Sequence, residues 1–166
     1  MGLAALVRNL LGLAPVAAFA IALLPAVALL VGVIFYGTGE AVSPTGDAIS
    51  FSDSMLALLF TVLYLAVHLL WVAGLALFLT VSTDAPLGAV GGTVLVAILS
   101  SILDQITALE GLRNYLPTHY AFAWSDLIST DVDWSNMAAG AFSAVAYAAF
   151  FGLLAARRFR TKDITS

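Results

Sequence analysis

Four apolar runs, separated by stretches too polar for hydrocarbon, leave this chain few ways to fold. A run that crosses a bilayer core of about 30 Å must satisfy its own backbone N–H and C=O groups, so each is expected to be a helix. The first covers residues 10–36, and its continuous core from Ala14 to Tyr36 measures roughly 35 Å as a helix. That is too long for the apolar region of a secretory signal, about 7–15 residues, so it reads as a span. The second, residues 54–81, would reach roughly 42 Å and must tilt or project beyond the hydrocarbon. The third, residues 87–103, reaches only about 26 Å and follows the short link STDAP, whose Pro86 suits a helix start. The fourth, residues 137–156, measures roughly 30 Å. Composition agrees: 62% of residues are hydrophobic and 10% charged, against about 25% charged in soluble domains, and mean hydropathy is +1.06. The expected fold class is all-α, a polytopic membrane helix bundle of four transmembrane helices forming one transmembrane domain over residues 1–166.

The polar stretches order the spans. Residues 37–53 are rich in turn formers, carry three acids and no Lys or Arg, and read as a loop. Residues 104–136 form the longest segment that hydrocarbon would exclude. Within it Leu116, Pro117, Thr118, His119 and Tyr120 make a compact turn signal, and Tyr120, Trp124, Leu127 and Ile128 recur at helical spacing. The pattern predicts a short interfacial or re-entrant helix with its rings at headgroup depth. Its plainer alternative is a surface anchor with no chemistry. Of the six Lys and Arg residues, four lie in the terminal segment that starts at Arg157, one is Arg8, and Arg113 is the remaining one. Positive-inside reasoning puts both termini in the cytoplasm and the loops 37–53 and 104–136 outside. An even number of spans is required, and four were counted from hydropathy alone.

Inside the spans, polar and small residues mark the candidate sites. Pro25 falls mid-membrane, removes a backbone donor and is expected to kink its helix. Ala14, Ala18, Ala22 and Ala26 form a ladder at spacing four. Gly88 and Gly92 form a GxxxG pair, and Gly140, Ala144, Ala148 and Gly152 share a face of the last span. Such small residues admit close helix approach, with bending or gating as the sharper reading and ordinary bundle packing as the bland one. His68 follows Tyr64 by one turn and Thr61 by two, which suggests a proton relay; a neutral imidazole satisfied by a neighbouring helix explains it as well. Thr93, Ser100 and Asp104 follow one face of the third span, and Asp104 with Gln105 reads either as part of a polar vestibule or as the polar end of a span at the membrane surface. Pro117, His119, Tyr120 and Trp124 are the external-loop candidates.

Several chemistries are excluded. Without cysteine there are no disulfides, thiolate metal sites or cysteine nucleophiles. The chain has no GxSxG elbow, HExxH helix, GxxxxGK[ST] phosphate loop or GxGxxG fingerprint, so no catalytic, cofactor or metal site is expected. The basic terminal segment fits the positive-inside rule, and nucleic acid is not an expected partner.

The link STDAPLGAV, the SxILDQI end of the third span, the external LPTHYAFAWSDLI, Val132-Asp133-Trp134, the small-residue last span and the terminal RRFRTKDITS occur in that order. In order and spacing they resemble the carboxy-terminal part of type-2 ATP-binding-cassette (ABC) transporter permeases of high-GC Gram-positive bacteria. The resemblance implies a permease subunit in the bacterial plasma membrane, part of an export pathway, with ATP hydrolysis residing in a separate ATPase subunit. It also implies a second permease chain or a homo-oligomer, and contact with membrane lipid. Family members usually have six spans behind an amphipathic cytosolic helix. This chain matches the last four, so the first two would be missing or supplied by a second chain. Two other classes stay open from the residues alone: a secondary transporter or channel using Tyr64, His68 and Asp104, and a non-transporting membrane scaffold.

Overall fold

The computed structural model describes residues 19, 22–42, 46, 48–128 and 132–161. Pro15, Ala14 and Ala18 of the alanine ladder, Arg8, and the terminal segment from Lys162 onward lie outside the described residues. The described residues are mostly helical and fall into two compact units, residues 1–66 with 124–134, and residues 67–123 with 135–166.

The first unit contains helix α1, Ala22–Tyr36. It continues through Pro25 without interruption. Gly37 ends it at φ 75°, its N–H bonding the Val33 carbonyl at 2.9 Å, the left-handed stop that glycine permits most cheaply. Residues 37–53 are not wholly loop, as the turn-rich sequence predicts. Strands β1, Ala41–Val42, and β2, Ala48–Ile49, pair antiparallel with Ala41 opposite Ile49 and Val42 opposite Ala48. Val42 and Ile49, one β-favouring residue on each strand, suit that pairing, and its two-residue strands keep it marginal.

Helix α2, Phe51–His68, starts three residues before the apolar run because Ser50 caps it. The Ser50 hydroxyl accepts the Asp53 N–H at 3.1 Å and donates to the Asp53 carboxylate at 2.6 Å. This reciprocal pair satisfies an otherwise orphaned first-turn donor and places an acid at the positive end of the helix. Ser50→Ala is expected to cost about 1 kcal/mol, read as faster amide exchange confined to the first turn of α2; unchanged exchange there would exclude the cap. Farther along, Phe60 meets Trp134 edge-to-face at 5.7 Å, and Tyr64 is buried.

The second unit carries α3, Leu70–Ser82, and α4, Pro86–Asp104. The predicted second span is therefore interrupted at Leu69, although residues 51–82 remain a single apolar stretch. Pro86 opens α4 in the first-turn position where its missing N–H is harmless. Two 3-10 helices follow, Thr107–Tyr115 and Ala123–Ile128. The second matches the predicted short helix in place but is wound more tightly. The first was not anticipated, and it bends at Glu110, whose φ of 40° lies in the left-handed region. Helix α5, Trp134–Thr161, contains the predicted fourth span and runs past it. Arg157, Arg158 and Arg160 consequently lie on the helix rather than beyond it, where good helix formers also complement the negative end of the dipole.

Trp71, Leu75 and Ala144 form the core of this unit, with Val72, Leu79, Ala97, Tyr147 and Phe151 packed around them. Trp71 is 2% exposed and Ala144 fully buried. Helices α3 and α5 approach closely at Gly74, where a Cβ would lie 3.0 Å from both the Cα and the carbonyl oxygen of Ala148. Elsewhere the helices turn large apolar side chains outward, including Leu87, Val90, Val94 and Ile98 of α4 and Phe142, Phe150 and Leu153 of α5. Three stretches, Phe51–Ser82, Pro86–Asp104 and Trp134–Thr161, are long and apolar enough to cross a membrane. An inside-out arrangement of this kind is that of an integral membrane protein. The described part of α1 spans roughly 22 Å, short of a crossing by itself.

Candidate functional site

The end of α4 and the loop behind it build one polar cluster within the second unit. Asp104 closes α4 as its last residue, so its carboxylate stands where the ladder of backbone bonds stops. The ring Nδ1 of His119 lies 2.6 Å from the Asp104 Oδ1, and since an ionised carboxylate can only accept, the ring nitrogen is the donor. The Nε of Arg113 lies 3.6 Å from the same oxygen, too far for a hydrogen bond and close enough for attraction between opposite charges. One turn earlier, the hydroxyls of buried Ser100 and Thr118 meet at 2.7 Å. The turn of residues 116–120 is thus fastened to α4 at two levels, with the His119 ring packed edge-on against Tyr120, centroids 4.7 Å apart. A third tie comes from α5, where the Tyr147 hydroxyl donates to the Tyr115 carbonyl. Tyr147 lies well inside α5, roughly 20 Å from its start. The loop is held along the helix, not at its tip.

This geometry regroups the predicted residues. Asp104 is brought to His119, placed by the sequence in the external loop, and to Arg113. Tyr64 is buried in the first unit and His68 in the second. Thr93 is buried on the expected face of α4, its hydroxyl returned to the Ala89 carbonyl at 2.8 Å. That bond is internal to the helix, so it contributes no polar path. Pro117 is half-buried in the turn, and Trp124 lies half-buried in the first unit at the start of the second 3-10 helix.

The small-residue candidates divide as sharply. A Cβ at Gly92 would sit 3.0 Å from the Leu79 Cδ1, so Gly92 is a contact point between α4 and α3. Gly88 faces only Ala85 and Thr83 of its own link. Gly140 is buried on α5, whereas a Cβ at Gly152 would meet nothing within 4 Å. Pro25 borders a depression in the first unit together with Tyr36 and Phe51. Sequence reasoning missed Gly74 and Tyr147, and gave no site role to Thr118, named only as part of the turn signal, or to Arg113, the one Lys or Arg between the two ends of the chain.

No cluster of three His, Asp or Glu residues able to hold a metal occurs among the described residues. The cluster at Asp104 can fasten a loop and present a cation and an imidazole at its rim; it contains no nucleophile paired with a base. Comparisons with protein-family models, with curated proteins and with solved structures give no match to this chain.

Proposed function

We propose that the chain is the membrane-spanning permease subunit of an ABC exporter, powered by a separate ATPase. The observation that carries this reading is the placement of the motifs that resemble type-2 permeases. STDAPLGAV is the link whose proline opens α4, LDQI ends α4, LPTHY is the turn fastened to Asp104, and WSDLI is the second 3-10 helix. Val132-Asp133-Trp134 leads into α5. Each motif supplies the start, stop or tether of an element, so the stretches that carry the resemblance are also those that shape the fold.

In the full reading the run 10–36 supplies a fourth span, both termini are cytoplasmic, and the loop tethered at Asp104 lies outside as an interfacial or re-entrant segment at the outer mouth. Two permease chains enclose the pathway in a bacterial plasma membrane, and closure of their ATPase partners tilts the spans between states. The close contact at Gly92 and the buried Gly140 transmit that motion. Affinity purification of the tagged chain from native membranes in mild detergent is expected to recover a cassette ATPase and ATP hydrolysis, while Gly92→Leu with Gly140→Leu should abolish assembly. Recovery of a folded chain alone, without ATPase, would refute the proposal.

A further inference from the structure

We infer that a groove beside α5 is a seat for one acyl chain of a phospholipid from the leaflet on the loop side of the membrane. The groove, about 520 Å³, lies wholly within the second unit. Its floor is one face of α5, from Ala139 through Phe142 and Ala146 to Phe150, and its wall is the loop at Asn114, Tyr115 and Tyr120.

Three features select an acyl chain. The floor belongs to a helix long and apolar enough to span a membrane, and Phe142 is 77% exposed there, so the groove is open and the medium facing it is hydrocarbon. Its extent along the helix also matches. Ala139 to Phe150 rises roughly 16 Å, close to one leaflet, about half of the 30 Å core, and begins about 8 Å inside the amino-terminal end of α5. Finally, the wall is preformed, because the Tyr147 hydroxyl donates to the Tyr115 carbonyl and holds the loop against the helix. A preformed concave site loses less entropy on binding than a mobile one, which separates a retained lipid from the exchanging annulus.

The test uses the whole chain, delipidated by detergent washing, reconstituted with dioleoyl phosphatidylcholine in nanodiscs and released for native mass spectrometry. The unaltered chain should retain a single phospholipid. Ala146→Trp fills the floor at an exposed position and should lower that occupancy about tenfold; Tyr147→Phe, which frees the wall, should lower it in the same direction. Val94→Trp, on the outward face of α4, should leave it unchanged. Equal retention in all four proteins, or equal loss in Val94→Trp, would overturn the assignment. So would efficient disulfide cross-linking between copies through Phe142→Cys with no lipid retained, which would make the groove an interface. None of these readouts depends on an ATPase, so the acyl-chain seat can fail while the permease reading stands, or the reverse.

Discussion

Gly74→Leu is expected to lower the stability of the second unit by about 2–3 kcal/mol, the range for overpacking a close contact. Two effects oppose each other at this position. Replacing a mid-helix glycine by a better helix former gains up to about 1 kcal/mol. Against that gain, the new Cβ meets the Cα and carbonyl oxygen of Ala148 at 3.0 Å, and backbone cannot rotate out of the way. Gly74→Ala should therefore be close to neutral or mildly destabilising, while the leucine, with three more carbons to place, forces α3 from α5 and opens the packing around Trp71 and Ala144. Thermal unfolding in detergent, followed by helical circular dichroism, measures the loss. A double variant gives the sharper check. Ala148→Gly should not rescue Gly74→Leu, because the obstacle is main chain; full rescue would show that only a methyl group stood there. At Gly92 the obstacle is the end of a side chain, so Leu79→Ala should rescue Gly92→Ala. Gly91, where a Cβ would meet nothing within 4 Å, is the control, and Gly91→Ala should stabilise slightly.

Asp104→Ala is expected to release the loop from α4 at a cost of about 1–3 kcal/mol, the range for hydrogen bonds to charged groups. The substitution removes the acceptor of the His119 ring and leaves Arg113 without its counter-charge. Both partners are partly solvated, which keeps the cost below that of breaking a fully buried ion pair. Amide exchange over residues 107–122 should accelerate about tenfold or more, with the exchange of α3 and α5 little changed. His119→Ala should reproduce most of this, whereas Arg113→Gln, at 3.6 Å, should do much less. Unaltered exchange in Asp104→Ala would show that the Ser100–Thr118 and Tyr147–Tyr115 contacts hold the loop by themselves.

The helices were legible because each signal was local. Pro86 announces the start of α4, Asp104 its end, and the apolar runs locate the spanning stretches 51–82, 86–104 and 134–161, though not the break at Leu69 or the basic extension of α5. Ser50 with Asp53 is a legible cap too, although the start of α2 was placed at Ser54, inside the apolar run. The cluster at Asp104 was half legible. Asp104 and His119 stood out as polar groups near apolar spans, but nothing in their spacing of 15 residues says that they meet.

Hydropathy by itself determined that this chain is mostly helical and belongs in a membrane, since an apolar segment of spanning length can satisfy its backbone groups only internally. Tertiary structure decided which small residues matter. Gly88 and Gly92 offer the same missing side chain four residues apart, yet Gly92 is closely approached by another helix and Gly88 is not, and Gly74, outside any such pair, meets the backbone of α5. Tertiary structure also decided where Asp104 finds its partners, because the loop that returns His119 and Arg113 to the end of α4 is positioned by contacts 15 to 32 residues apart, Asp104 with His119 and Tyr115 with Tyr147. A helix follows from forces within a few residues of the chain; a contact between helices depends on which face packing turns inward.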